Sequence, residues 1–313
     1  MTDHRPPTTD ILILGGGPGG IAALLWAHSV GLRGLLLETA NELGGQLLQM
    51  FHPVIDYPGL LPADGAALRD TFKQHVDKLS LGYRLGCRIE SVGLANKAVV
   101  CNGETLTARA IIIATGARQR WLGIPGENLA WHIDANAERA YHNQLVCVIG
   151  GGDSAVENAN ILARTAAHVT LIHRSDKFRA RAEWLAAAEA APNVTILRNT
   201  QAREIHADRI EIQNVKTGAL HTLPVVAAFV RAGILPNTEW FAGQIELDEA
   251  GYVRAFANQQ TAQPLVYAIG DVCKPVCLSV ASAAGHAALA VKDARERLSA
   301  CDRSPSLTSA HIY

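Results

Sequence analysis

The sequence predicts an α/β protein built from two Rossmann-like dinucleotide-binding domains. Two observations carry that expectation. Gly15-Gly16-Gly17-Pro18-Gly19-Gly20 follows directly on the apolar run Ile11-Leu12-Ile13-Leu14, and Gly150-Gly151-Gly152-Asp153-Ser154-Ala155 follows directly on Leu145-Val146-Cys147-Val148-Ile149. One G-x-G-x-x-G is a weak signal. Two, each after a strand and each opening a helix, point to two phosphate-binding βαβ units. A length of 313 residues allows each unit its own core.

Composition narrows the function classes. A net charge of −1 gives no field that would favour nucleic acid. The apolar runs are short and broken, far from the roughly 20 residues that span a bilayer. No apolar segment precedes the first strand, so a secretory leader is not expected and the chain is read as cytoplasmic. The six cysteines, Cys87, Cys101, Cys147, Cys273, Cys277 and Cys301, are scattered. They read as reduced thiols rather than a disulfide scaffold.

Along the chain, the first loop needs backbone N–H groups aimed at a pyrophosphate. Gly15 allows the tight turn, Gly17 admits the diphosphate and Gly20 lets helix pack on strand. The helix opening near Pro18 and Gly19 brings its positive end to the phosphates. The second strand, Leu35-Leu36-Leu37, ends in Glu38, an acid about 20 residues past the glycines, placed to accept from ribose hydroxyls. Its bland alternative is a solvated strand-end acid.

Glu42-Leu43-Gly44-Gly45-Gln46-Leu47, Ile55-Asp56-Tyr57-Pro58-Gly59, Ala114-Thr115-Gly116-Ala117 and Tyr267-Ala268-Ile269-Gly270-Asp271-Val272 stand in this order. Together they resemble the low-molecular-weight thioredoxin reductase family, which also contains the thioredoxin-reductase-like ferredoxin–NADP reductases. The likeness runs from about residue 10 to about 298. It implies a pyridine-nucleotide-disulfide oxidoreductase type of fold, two three-layer β/β/α domains, and a homodimer. It also implies FAD at the first site, with Gln46 near the isoalloxazine and Asp271 on the ribityl chain. Gly45, Leu47, Asp56, Ala114, Thr115, Gly116 and Gly270 complete the expected set. The helix after Asp271 would direct its N-terminus at the flavin, where reduction places negative charge.

The second loop, with Gly150, Gly152, Asp153 and Ser154, resembles the NADPH site of that family. After Val169-Thr170-Leu171-Ile172 comes His173-Arg174-Ser175-Asp176-Lys177-Phe178-Arg179-Ala180. The family pattern has two adjacent arginines after the His and one further on, gripping the 2′-phosphate. Here Arg174 and Arg179 remain, but Ser175 replaces the second of the pair. Two cations bind a phosphate less tightly than three. The second dinucleotide is therefore NADP(H), NADH or a second FAD, as in a diflavin-linked branch. A solvated basic face is the bland alternative.

Thioredoxin reductases carry C-x-x-C at a fixed distance before the second loop. Counted back from Gly150, that motif falls on Ile133-Asp134-Ala135-Asn136, and Ala137 stands where the family has an acid. No thiolate chemistry can run there. Cys273-Lys274-Pro275-Val276-Cys277 offers a replacement, beside the expected flavin at the entry to a last helix running about 275–298. Pro275 suits the first helical position. Cys277 would then sit in the first turn, where the helix end and Lys274 favour the thiolate, and is expected to face the flavin. Alternatively these are small buried hydrophobes. A cysteine after Gly-Asp is also familiar in the ferredoxin–NADP reductase branch without a redox role. Cys147 is expected to be structural, and Cys87 and Cys101 have no identifiable partner.

The flavin domain is expected to be discontinuous, 9–117 and 244–300, with the second dinucleotide domain, 118–243, inserted. The tail from Ser299, and 301–313 in particular, reads as flexible, although His311-Ile312-Tyr313 could stack on a flavin. His28, His52, His75, His132, His168, His206 and His286 show no metal-ligand spacing, so no metal is expected. His286 alone is a candidate proton donor. The leading reading is an FAD-dependent disulfide oxidoreductase acting on a redox protein or small-molecule disulfide through Cys273 and Cys277. A ferredoxin or flavodoxin–NADP reductase-like electron transferase needs no thiol pair, and would make ferredoxin the partner. A non-turnover redox sensor is the third reading.

Overall fold

The computed structural model describes residues 9–51, 53–130 and 137–303. The chain divides into two compact units, one from residues up to 117 and from 235 onward, the other of 118–234. The first unit opens with β1 (Thr9–Leu14), α1 (Pro18–Ser29), β2 (Gly34–Leu37), α2 (Gly65–Lys78), β3 (Gly82–Arg84), β4 (Ile89–Gly93), β5 (Ala98–Cys101) and β6 (Glu104–Ile113). Strand β7 (Ala117–Gln119) carries the chain out. The second unit holds α3 (Ala137–Ala140), β8 (Leu145–Gly150), α4 (Asp153–Leu162), β9 (His168–Ile172), α5 (Ala182–Ala190), β10 (Val194–Leu197), β11 (Thr200–Ile205), β12 (Arg209–Asn214), β13 (Leu220–Pro224) and β14 (Ala227–Arg231). Strand β15 (Ile234–Pro236) returns the chain to β16 (Val266–Ala268) and α6 (Val280–Arg303).

In the first unit β3, β2, β1, β6 and β16 pair in parallel, in that order. Strand β6 serves two layers. Its later residues Ala108–Ile113 pair with β1, while Glu104–Thr107 pair antiparallel with β5, which continues to β4. The sequence of β1 dictates this sandwich. Ile11 to Leu14 are all buried, as a parallel strand covered on both faces requires. Ile11 and Ile13 pack among α1 and α6 residues such as Ile21, Leu24, Ala287 and Val291. Leu12 and Leu14 pack on the other face with Val92, Val99 and Phe241.

The second unit repeats the plan. Strands β10, β9, β8 and β14 pair in parallel, and β11, β12 and β13 form an antiparallel meander. Val146 and Val148 face the helix layer with Val156 and Leu162. Cys147 and Ile149 face the meander with Ile205 and Ile210. The expected β/β/α layering is thus present in both units, and Cys147 is fully buried in it.

Three expectations are corrected. The return to the first unit falls at 234/235 rather than 243/244. The reason is bonding: Asn237 exchanges hydrogen bonds with Thr115 and Gly116, and Gln244 bonds to Val92 and Leu94. The last helix begins at Val280, not Pro275. Lys274 adopts a left-handed φ of 51°, and the Ser279 hydroxyl accepts from Ser282 N at 3.1 Å, the pattern of an N-cap. The helix also runs on to Arg303, so 299–303, with Cys301, are helical rather than tail. His311-Ile312-Tyr313 and Ile133-Asp134-Ala135-Asn136 lie outside the described residues.

Candidate functional site

The first glycine turn has the geometry of a diphosphate cradle. Gly15 has φ +111°, and a Cβ there would strike the Ala114 carbonyl. A Cβ on Gly20 would collide with the Gly15 carbonyl oxygen, so only glycine lets α1 approach β1. At Gly17 the opposite holds: nothing lies within 4 Å of an added Cβ. Gly17 is also the N-cap of α1, with Pro18 behind it and no side chain capping the helix. The free N–H groups and open space suit an anionic group. Gly45 closes the far side, since a Cβ on it would reach Gly17 Cα at 3.0 Å. Gly19 packs toward Ala283 at the start of α6.

Glu38 sits at the end of β2 and turns into this loop. Its Oε2 accepts from Gly16 N at 2.5 Å and its Oε1 from Ala40 N at 2.8 Å. The acid found by spacing is therefore an organised part of the turn.

The structure brings three distant motifs together here. Gln46 Nε2 donates to Asp271 Oδ2 at 2.6 Å across 225 residues. Gly116, with φ +65°, lies against the same amide, 3.9 Å from its would-be Cβ to Gln46 Nε2. Burial raises the Asp271 carboxyl above the usual carboxylate range, opposed by the Gln46 bond and the His286 charge. His286, on α6, accepts from Gly270 N at Nδ1 (3.3 Å), and burial holds its pKa down. Leu47 packs inward with Val54, Leu68 and Val280, so its side chain supports Gln46 rather than facing the opening. Asp56 is exposed. Sequence reasoning missed Asn237, which locks the Ala114-Thr115-Gly116 turn through Thr115 Oγ1 (2.7 Å) and Thr115 O (2.7 Å). No spacing rule points to it.

The cysteines separate by environment. Cys273 lies on the short turn after Gly270-Asp271, partly buried against the Val253 and Val272 layer. Burial, with the Asp271 charge adding, pushes its thiol up to about 12. Cys277 is exposed and precedes α6. The helix-end argument for Cys277 as the inward thiol therefore fails, and Cys273 is the inner one. The Lys274 ammonium lies 5.4 Å from the centre of the Tyr252 ring, which engages it with an aromatic face. Cys87 and Cys101, expected to lack partners, are both buried neighbours, and burial followed by the Cys101 thiol raises Cys87 to about 11. Burial alone raises Cys147 to about 12. Cys87 and Cys147, buried within the sheet layers, are therefore inert at neutral pH.

The second glycine turn repeats the first. Gly150 has φ +154° and is wedged against the Arg231 carbonyl, while Gly152 caps α4 with nothing within 4 Å of an added Cβ. The segment after β9 folds over this turn. Arg179 N donates to Gly151 O at 2.7 Å, Arg181 N to Asp153 Oδ1 at 2.8 Å, and the His173 ring packs on Gly151. Asp153 is thereby engaged by Arg181, and Ser154 is the exposed residue beside it. Ser175 Oγ lies 2.8 Å from His173 Nε2. The His173 pKa is lowered by burial first and then by the charges of Arg179, Arg174 and Arg198. A third arginine thus joins the expected pair. Arg198 follows β10, pairs with Glu189 Oε1 at 2.6 Å and stacks 5.4 Å from the Phe178 ring centre. Its signal was its position at the end of the next parallel strand, not a motif.

Comparison with known proteins agrees with this architecture. The model of the pyridine nucleotide-disulphide oxidoreductase family matches residues 9–292. A thioredoxin reductase of Mycolicibacterium smegmatis is 34% identical over 94% of this chain and 97% of its own. One from Coxiella burnetii is 32% identical over 96% and 100%. The crystal structure of Lactococcus lactis thioredoxin reductase superposes with a TM-score of 0.84 at 27% identity, covering 94% of this chain and all of that one.

Proposed function

This chain belongs to the pyridine nucleotide-disulphide oxidoreductase family, in its thioredoxin reductase branch, and from that premise we propose that Cys273 and Cys277 are its redox-active thiols. It is an FAD-dependent disulfide oxidoreductase of that family. The observation that carries the thiol assignment is the Gln46–Asp271 bond, which anchors the turn bearing Cys273 two residues later.

The residues at the first site fit FAD. Gly17 leaves space and free N–H groups for the diphosphate, Glu38 stands where the ribose would lie, and Gln46 and Asp271 offer polar groups for the remainder. When bound, FAD supplies a two-electron carrier that thiols alone lack. The second site takes NADP(H), with Arg174, Arg179 and Arg198 facing the 2′-phosphate; charge-assisted bonds from three guanidinium groups offset the loss of the arginine at Ser175.

The thiol chemistry runs outward. Cys277, exposed, attacks one sulfur of an incoming disulfide as its thiolate, and the other sulfur leaves as a thiolate. The Cys273 thiol then gives up its proton to solvent and attacks Cys277 Sγ. The second substrate sulfur is expelled and a Cys273–Cys277 disulfide remains, so the substrate gains two electrons and the pair loses two. The acceptor is a redox protein of the thioredoxin kind that the names of the relatives carry.

The test is NADPH-driven reduction of a thioredoxin disulfide by the FAD-loaded chain. Activity lost in both Cys273→Ser and Cys277→Ser, with flavin content unchanged, is expected; full activity in Cys277→Ser contradicts the assignment. One observation favours a second reading. The raised Cys273 thiol suits an electron transferase of the ferredoxin–NADP reductase kind, in which both serine variants keep full turnover with one-electron acceptors and the wild type ignores disulfides.

A further inference from the structure

We propose that Glu204, His206 and Glu211 form a binding site for a divalent transition-metal ion of the zinc class, clipping the β11–β12 hairpin of the second unit. Glu204 lies on β11, Glu211 on β12, and His206 at the mouth of the turn, its N–H donating to Arg209 O at 2.9 Å. The three donor atoms all lie within 4.8 Å of one another. His206 Nε2 is 3.6 Å from Glu204 Oε1 and 3.4 Å from Glu211 Oε1.

Those distances are too long for hydrogen bonds, which fall at about 2.7–3.2 Å. Accordingly His206 Nε2 is a buried ring nitrogen without a hydrogen-bond partner. They do match the edge of a coordination tetrahedron. With metal–ligand distances of about 2.0–2.1 Å, donor atoms lie roughly 3.3–3.4 Å apart. A second, independent feature points the same way. A register shift between Ala202 and Glu204 places Glu204 directly opposite Glu211. Bulges of this kind re-aim a side chain, and a directly opposed pair of like charges is destabilising unless something neutralises it. A dication on the two carboxylates and the imidazole does so. One nitrogen and two oxygens suit zinc or cobalt, whereas calcium and magnesium take oxygen alone. Three protein ligands leave a coordination position for water.

The experiment uses the full FAD-loaded chain, with its exposed thiols alkylated so that they cannot bind metal. It is stripped with chelator and titrated with Co²⁺ and then Zn²⁺. The expected result is one equivalent of Co²⁺ giving visible ligand-field absorption, displaced by Zn²⁺ and not by Mg²⁺ or Ca²⁺. His206→Ala and Glu211→Gln each weaken binding by at least about a hundredfold, since even outer-shell changes cost 10–100-fold. Asp208→Asn, a carboxylate at the turn tip outside the trio, leaves it unchanged. Retained far-UV circular dichroism shows that the variants fold. Absence of stoichiometric Co²⁺ uptake overturns the proposal, as does uptake that survives both His206→Ala and Glu211→Gln.

Discussion

Gln46 Nε2 donates a 2.6 Å hydrogen bond to Asp271 Oδ2, joining a turn near the start of the chain to one near its end. Burial raises the Asp271 carboxyl, with the Gln46 bond only partly opposing it. A raised acid favours folding in its protonated form, so its contribution is present below the unfolded carboxylate pKa and is lost as pH rises through the folded one. Asp271→Asn should therefore make the flavin-free chain more stable at pH 7, an advantage that vanishes toward about pH 4. The same change should weaken FAD binding by about tenfold or more, because a hydrogen bond to a charged group is worth roughly 1.5–3 kcal/mol. Thermal melts with and without FAD, at both pH values, measure the two effects.

Gly17 and Gly20 should respond oppositely to the same methyl group. Gly20→Ala drives a Cβ into the Gly15 carbonyl and should cost about 3 kcal/mol of stability, the upper end of overpacking effects. Gly17→Ala meets open space and should cost the flavin-free chain no more than about 1 kcal/mol, the advantage of glycine over alanine at an N-cap, while reducing FAD affinity because the methyl fills the cradle. Denaturant unfolding and flavin fluorescence quenching separate the two.

This contrast shows what sequence alone reveals. The glycine spacing located both turns, and the alternation-free runs Ile11-Leu14 and Leu145-Ile149, buried apart from Leu145 at its start, located both central strands, because a parallel strand covered on both faces is apolar along its length. Glu38 was legible from its distance to the glycines. Asn237 and Arg198 were not, since each reaches its site from a loop whose path depends on tertiary packing. The start of α6 was misread for a local reason. Proline suits a first helical turn, but Ser279, four residues after Pro275, supplies the cap. The Glu204–His206–Glu211 trio was invisible to a search for metal-ligand spacing because it assembles across a hairpin and depends on a register shift.

The arginines around His173 should set nucleotide preference. Arg179→Ala and Arg198→Ala should each raise the Kd for NADPH by about ten- to a hundredfold, the worth of one charge-assisted bond at roughly 1.5–3 kcal/mol, and leave NADH unchanged. Equal losses for both nucleotides would remove Arg198 from the phosphate site. Isothermal titration with each nucleotide decides.

Thiol reactivity should follow exposure and pKa. At pH 7.5 iodoacetamide should label Cys277 and Cys301, which are exposed, and spare Cys273, Cys147 and Cys87, whose thiols are pushed to about 12, 12 and 11. A group with pKa near 12 is thiolate in only roughly one molecule in ten thousand or fewer at that pH. Peptide mass mapping of the native protein reports each site. For the same reason, a long-wavelength thiolate–flavin absorption band should be missing from the reduced protein at pH 7.5.

The most direct test of the displaced thiol pair is an anaerobic reductive titration of the FAD-loaded chain, with bound flavin quantified in the same sample. The expected result is uptake of two electrons per chain beyond those taken by the flavin, the equivalent of one disulfide, and loss of that extra uptake in Cys277→Ser. Uptake limited to the flavin in the wild type, or an extra pair of electrons that persists in Cys277→Ser, would contradict it.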